Sequence, residues 1–225
     1  MRIFNIKRKS KPPIIVFSQE FSYAIEYVND VLTRERSTAD KIVILDFMID
    51  VIKKDLKTDL LSCIFYSQEH FTRHFRYPFP LFYCDEQGNE QDLPVEGAIQ
   101  INLAQDDILV MPWHRERLCG QIKNIFSNNF VYDRSNHKAY YFSFIDLCYV
   151  YNGNHSVSSG IVFKKGTIEA KKVDLTKLFP HIHTDGKHWY NTHSGNKIGA
   201  LADFRLGIIY EIAKIKYTVE NDLTA

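Results

Sequence analysis

The four residues Gly153-Asn154-His155-Ser156 have the types and spacing best suited to chemistry in this chain. They follow the apolar run Leu147 to Tyr151 and open the stretch Ser156 to Lys164, which reads as a short helix. A glycine allows close backbone approach, and a helix starting near His155 or Ser156 presents unpaired amides that suit a phosphate. Asn154, His155 and Ser156 can add hydrogen bonds; the plainer use of the same residues is to cap the helix. A second cluster, Met111-Pro112-Trp113-His114-Arg115-Glu116-Arg117, brings two arginines to the start of another helix. Arg115 or Arg117 can neutralise a phosphate there, or simply pair on the surface with Glu116, Asp106 or Asp107. If the two segments share a pocket, His155 would orient a phosphate or act as acid and base. An arginine would then stabilise the charge that develops in phosphoryl transfer or nucleotide hydrolysis.

His181, His183, His188 and His193 form a second group with Asp185 and Lys187. Imidazole and carboxylate together suit Zn²⁺, Mn²⁺ or Fe²⁺, but the spacing matches no set metal motif, so metal in the His181–His193 loop is the less favoured use. Lys187-His188-Trp189-Tyr190 places basic and aromatic groups side by side, as nucleic-acid contacts require, although Trp189 as a packing anchor is preferred. With His137, this loop motivates a nucleic-acid-binding protein or metal-dependent nuclease as one alternative function. Cys63, Cys84, Cys119 and Cys148 show no paired spacing for zinc or a redox dithiol, and Cys148 reads as a buried hydrophobe. The basic start, with Arg2, Lys7, Arg8, Lys9 and Lys11, reads as a solvated terminus.

Positioning these residues calls for a mixed fold. At 225 residues, 45% hydrophobic and 24% charged, the chain has the composition of a globular protein. Its 28 Lys and Arg against 27 Asp and Glu exclude a whole-surface basic field, leaving only local basic faces. Phe21, Ala24, Ile25, Val28 and Leu32 predict a helix over Ser18 to Thr33. Ile44, Phe47, Met48, Val51, Ile52 and Leu56 predict a second from about Ala39 into the sixties, divided near Thr58-Asp59. Together they form an N-terminal helical cap, residues 1–75, before an α/β core with a C-terminal extension, residues 76–225. Strands are expected at Leu81 to Cys84, Ala98 to Leu103 and Tyr140 to Phe144. Trp113 to Phe126 should be helical, with Leu118, Ile122 and Ile125 on its packed side. Tyr149 to Val173 should run strand, turn, helix, strand, bounded by Gly153 and Gly166. His181 to Asn196 reads as a polar loop, and Ala200 to Ile215 as a final helix from which Tyr217 and Val219 could continue as a strand. The start lacks the apolar stretch of a secretory signal, and no apolar run approaches the ~20 residues that cross a bilayer, so a cytoplasmic protein with no membrane partner is expected.

Over residues 95 to 175 the arrangement resembles the ParB/sulfiredoxin-like superfamily, near a group of ParB-like bacterial and phage proteins. In that superfamily a Pro- and Arg-containing box precedes one helix, and a later strand ends in a Gly-containing box that starts another. Met111 to Arg117 corresponds to the first box and Gly153 to Ser156 to the second, with His155 at the histidine of the sulfiredoxin form. The resemblance implies an α+β ParB/sulfiredoxin-like mixed core with N-terminal helices and a C-terminal helical extension. It implies a nucleotide or other phosphorylated ligand, with ATP or CTP and Mg²⁺ as candidate cofactors held by Gly153, Asn154, His155 and Ser156. His155, Arg115 and Arg117 are then the candidate catalytic residues. Asn154 stands where sulfiredoxins carry cysteine, so sulfinic-acid repair is not expected; Ser156 stands at the usual arginine, so Arg115 or Arg117 must supply the positive charge. The competing reading is a non-enzymatic interaction module on the same fold, for protein or nucleic-acid partners.

Overall fold

The computed structural model describes residues 14–68 and 77–222, with side chains from residue 19 onward. The basic residues before Lys11 and the expected domain boundary at 75/76 lie outside these described residues. Two helices open the described chain, α1 (Ile14–Arg34) and α2 (Thr38–Tyr66). Ser37 caps α2 by accepting from the Asp40 amide at 3.3 Å. The helix runs through Thr58-Asp59 without a break: the Thr58 hydroxyl bonds back to the Lys54 carbonyl, and Asp59 faces Arg205. A short hairpin, β1 (Phe82–Cys84) with β2 (Glu90–Asp92), closes through a turn in which Asp85 accepts from the Gln87 and Asn89 amides.

The main sheet has five strands in the order β3 (Val95–Asn102), β7 (Thr167–Asp174), β5 (Lys138–Ser143), β6 (Leu147–Asn152) and β4 (Ile108–Leu109). It is mixed: β3 runs antiparallel to β7 and β5 antiparallel to β6, while β5 with β7 and β4 with β6 are parallel. Alternation divides its side chains between two cores. Leu109, Phe142, Leu147, Tyr149 and Val173 join Phe21, Val28, Leu45, Ile49, Leu56 and Leu60 of α1 and α2, together with Leu206, Ile209 and Tyr210 of α5 (Phe204–Asn221). Ile108, Ala139, Cys148, Val150, Ile168 and Ala170 face the other way, against Val157 and Ile161 of α4 (Asn154–Phe163). The amino-terminal helices therefore share one core with the sheet and the last helix. Helix α3 (Arg115–Ser127) lies against α4 and buries Leu118 and Ile125. This is an α+β architecture with amino-terminal helices, a mixed sheet and a carboxyl-terminal helix.

Two stretches differ from the sequence expectation. His181 to Asn196 contains β8 (Ile182–Thr184) and β9 (His188–Asn191), which with β10 (Lys197–Ala200) form an antiparallel sheet. Ile182, Thr184, Trp189 and Asn191 point inward while histidines occupy outward positions, so a strand alternation reads as a polar loop. The final helix extends to Asn221, and Tyr217 and Val219 are helical: the Tyr217 ring packs on Phe144 and Phe179 at 5.6 Å, which ties this last part of α5 to the core. Cys148 is buried, and desolvation pushes its thiol well above the usual range. No described helix is long and apolar enough to cross a membrane.

Candidate functional site

The two segments singled out by their chemistry meet at the starts of α3 and α4. Gly153 adopts φ +85°, the left-handed conformation that turns the end of β6 into α4. Asn154 Oδ1 accepts from the Met111 amide at 2.9 Å, and His155 Nε2 accepts from the His114 amide at 3.0 Å. His114 caps α3, its Nδ1 accepting from the Arg117 amide. The Trp113 ring stands edge-on to His155, centroids 5.3 Å apart, and the Arg117 guanidinium lies 5.2 Å from the centre of the Trp113 ring. Arg115 turns elsewhere, its Nε donating at 2.9 Å to the Ile64 carbonyl near the end of α2. The structure thus brings Arg117, His155 and Asn154 together and sends Arg115 toward α2.

Hydrogen bonding sets the histidine tautomers. His155 Nε2 accepts a backbone N–H, so the neutral ring carries its proton on Nδ1 and has no lone pair free to take a proton. His137, at the mouth of β5, behaves in the complementary way. Its Nδ1 accepts from the Asp133 amide at 2.9 Å, so Nε2–H donates to Ser156 Oγ at 2.8 Å, and Ser156 in turn donates to the Gly153 carbonyl at 3.0 Å. Phe130 and Tyr132 flank the His137 ring, with centroids 5.0 and 5.9 Å away. His137 therefore fills the space beside Gly153 and takes up the Ser156 hydroxyl, so the Gly153 turn is sealed on that side.

Both rings are held neutral. Burial lowers the affinity of His137 for a proton, with Asp133 opposing in part; burial, then Arg117 and His114, lower that of His155. Unfolded histidine titrates near ~6.5, so below that pH the unfolded chain binds more protons than the folded one. Stability contributed by these rings is complete above ~6.5 and declines as pH falls from there toward their folded values. Urea unfolding between pH 7.5 and 5.5 should show this decline, and His137→Asn should have a shallower slope than wild type. Equal slopes would mean that His137 does not remain neutral in the fold.

Beyond His137 the sheet opens. The parallel pairing of β5 with β7 begins only at Tyr140 and Lys171. A cleft of about 530 Å³ lies across this end of the sheet, with residues of β3, β7, β5 and β6 around it, lined by Arg134, His137, Lys138, Glu169 and Lys171 among the polar groups and by Tyr132 and Tyr151 among the rings. On β3 a bulge lies between Val95 and Ala98, with Gly97 at φ +121° on the rim. Tyr140 and Tyr151 pack at 5.3 Å with Tyr77 edge-on to both, and Lys171 Nζ lies 5.7 Å from the Tyr140 ring centre. Three permanent cations against one carboxylate make the cleft net positive.

The histidine-rich segment is placed apart from both features. His181 Nδ1 lies 2.9 Å from His193 Nε2 and its ring stacks on Tyr83, His183 stacks on Tyr190, and His188 faces Asp185. Among the described residues, no three His, Cys, Asp or Glu side chains lie close enough together to hold a metal. Trp189 is buried against Phe79 and Tyr210. Arg134, Lys138, Glu169, Lys171 and Tyr132 were not singled out by sequence reasoning. Lys138 and Lys171 sit in strands as ordinary outward positions, and it is the neighbouring of β5 and β7 in the sheet that gathers them.

Fold and site together define an α+β protein in which two helix starts are tied across one end of a mixed sheet, beside an open, cation-lined cleft. The chain belongs to the family of unknown function DUF6710, whose model matches residues 5–223. No curated protein and no solved structure matches it.

Proposed function

We propose that the protein binds a nucleotide, or a phosphorylated ligand of similar size, in the cleft at the end of the main sheet where β3, β7, β5 and β6 meet. The observation that carries this reading is the lining of the cleft: Arg134, Lys138 and Lys171 surround an opening of about 530 Å³, with Tyr132 and Tyr151 beside them. Cations suit the phosphates, and aromatic rings suit a flat base. Asn154, His155 and Ser156 then serve as scaffold, bonded to Met111, His114 and His137, and hold the cleft floor through His137.

Calorimetry at low salt against ATP, CTP, GTP and their diphosphates, with and without Mg²⁺, tests this. Wild type should bind at least one of them, more weakly as salt rises, and Lys138→Ala/Lys171→Ala should weaken binding by at least about tenfold. Arg117→Ala should leave affinity unchanged. Loss of binding in Arg117→Ala with retention in the double lysine variant would move the ligand to the α3 and α4 starts. No binding to any nucleotide by wild type would overturn the proposal.

A further inference from the structure

Helix α2 carries apolar residues on two opposite faces, one packed on the core and one turned to solvent. Its inner face, Leu45, Ile49, Leu56 and Leu60, is buried. Diametrically opposite run Val43, Phe47 and Val51, one per turn, 67%, 69% and 47% exposed. The same line continues to exposed Asp40 at one end and exposed Lys54 at the other, a stripe about 21 Å long. We propose that this stripe docks on the same stripe of a second copy of the chain, antiparallel and centred on Phe47.

The order of residue types selects that occupant. Turning the stripe end for end about Phe47 places Val43 on Val51 of the second copy and Asp40 on its Lys54, and the two-fold axis repeats both pairs. A self-complementary patch is what an isologous contact demands. Asp40 and Lys54 have no ion pair assigned within the described residues, whereas their neighbours on α2 do: Asp46 pairs with Lys216, Asp50 with Lys53 and Asp55 with Arg205. Lys41 also has no ion pair assigned within the described residues but lies on another face of the helix, so Asp40 and Lys54 are the two such charges in line with Phe47, and this antiparallel register would join them. Val43 and Val51 flank the central Phe47 pair, and the charged pairs close the ends, an apolar centre with a polar rim.

Sedimentation equilibrium on the whole chain from 1 to 200 µM tests the dimer. Wild type should associate, and Phe47→Asp should weaken association by at least about tenfold while keeping the wild-type circular dichroism and melting curve, since its side chain leaves the core untouched. Asp40→Lys and Lys54→Asp should each weaken association, and the double exchange Asp40→Lys/Lys54→Asp should restore it. A wild type monomeric at 200 µM, or a Phe47→Asp chain that still associates like wild type, overturns the proposal. Failure of the double exchange to restore association overturns the antiparallel register.

Discussion

Arg205→Ala should lower the unfolding free energy by about 3–5 kcal/mol, the usual consequence of stranding one buried carboxylate, here Asp203. Arg205 sits in the first turn of α5 and spreads its guanidinium over three acids: Nη1 to Asp55 at 2.8 Å, Nη2 to Asp59 at 2.5 Å and to Asp203 at 2.8 Å, with Nε to Asp203 at 2.9 Å. Two of the acids belong to α2, and Asp203 caps α5, so one side chain locks the two helices together. Burial disfavours the charged guanidinium, but Asp203, Asp59 and Asp55 outweigh it, so Arg205 stays fully ionised. Asp203 is 2% exposed and cannot recover hydration when the arginine is gone. Urea denaturation monitored by far-ultraviolet circular dichroism measures the loss. Asp203→Asn in the Arg205→Ala background should regain part of it, because an amide caps the helix without a stranded charge. Arg205→Lys should also destabilise, since an ammonium cannot fork to three partners. A loss below about 1 kcal/mol for Arg205→Ala would show that the cluster does not clamp the helices.

Gly153→Ala should cost about 2–5 kcal/mol, from two separable sources. A residue with a side chain at φ +85° carries roughly 1–2 kcal/mol of backbone strain. An added methyl would also stand 2.6 Å from His137 Cδ2 and 3.2 Å from the Asn136 carbonyl and His137 Cα, and such overpacking costs about 1–3 kcal/mol. Gly88 is the control: its φ is +83°, yet nothing lies within 4 Å of where a methyl would go. Gly88→Ala should therefore lose only the strain, and the difference between the two variants measures the His137 contact. If the two alanine variants lose the same stability, His137 does not fill the space beside the turn.

The sequence carries most where a local rule dominates. The apolar run Leu147 to Tyr151 and the alternation in Thr167 to Asp174, with Gly153 and Gly166 between, make the strand, helix, strand order legible, because both glycines take positive φ. The packed face of α2 is less so. Phe47 and Val51 recur at helical spacing with Ile44, Met48 and Leu56, yet they face outward, since periodicity finds a stripe without saying which of two apolar stripes meets the core. Thr58-Asp59 suggests a break that long-range contact with Arg205 overrides. The meeting of Met111–Arg117 with Gly153–Ser156 can be anticipated from two helix starts, but not that Asn154 and His155 would spend their acceptors on the Met111 and His114 amides. The cleft gathers residues from four strands and the loop before β5, which no short window of sequence encodes.

The packing of α1 and α2 on α5 has a consequence for how the chain comes to be folded. These helices stand near opposite ends of the sequence, with the whole main sheet encoded between them. Their union closes a long loop, and contacts so distant in sequence slow folding. On a ribosome adding ~5–20 residues per second, α2 emerges on the order of ten seconds before α5. Throughout that interval Leu45, Ile49, Leu56 and Leu60 lack the helix they finally pack against. The nascent chain, rather than the finished molecule, is where this architecture is most exposed to misassociation, and the last helix is the piece that ends the exposure.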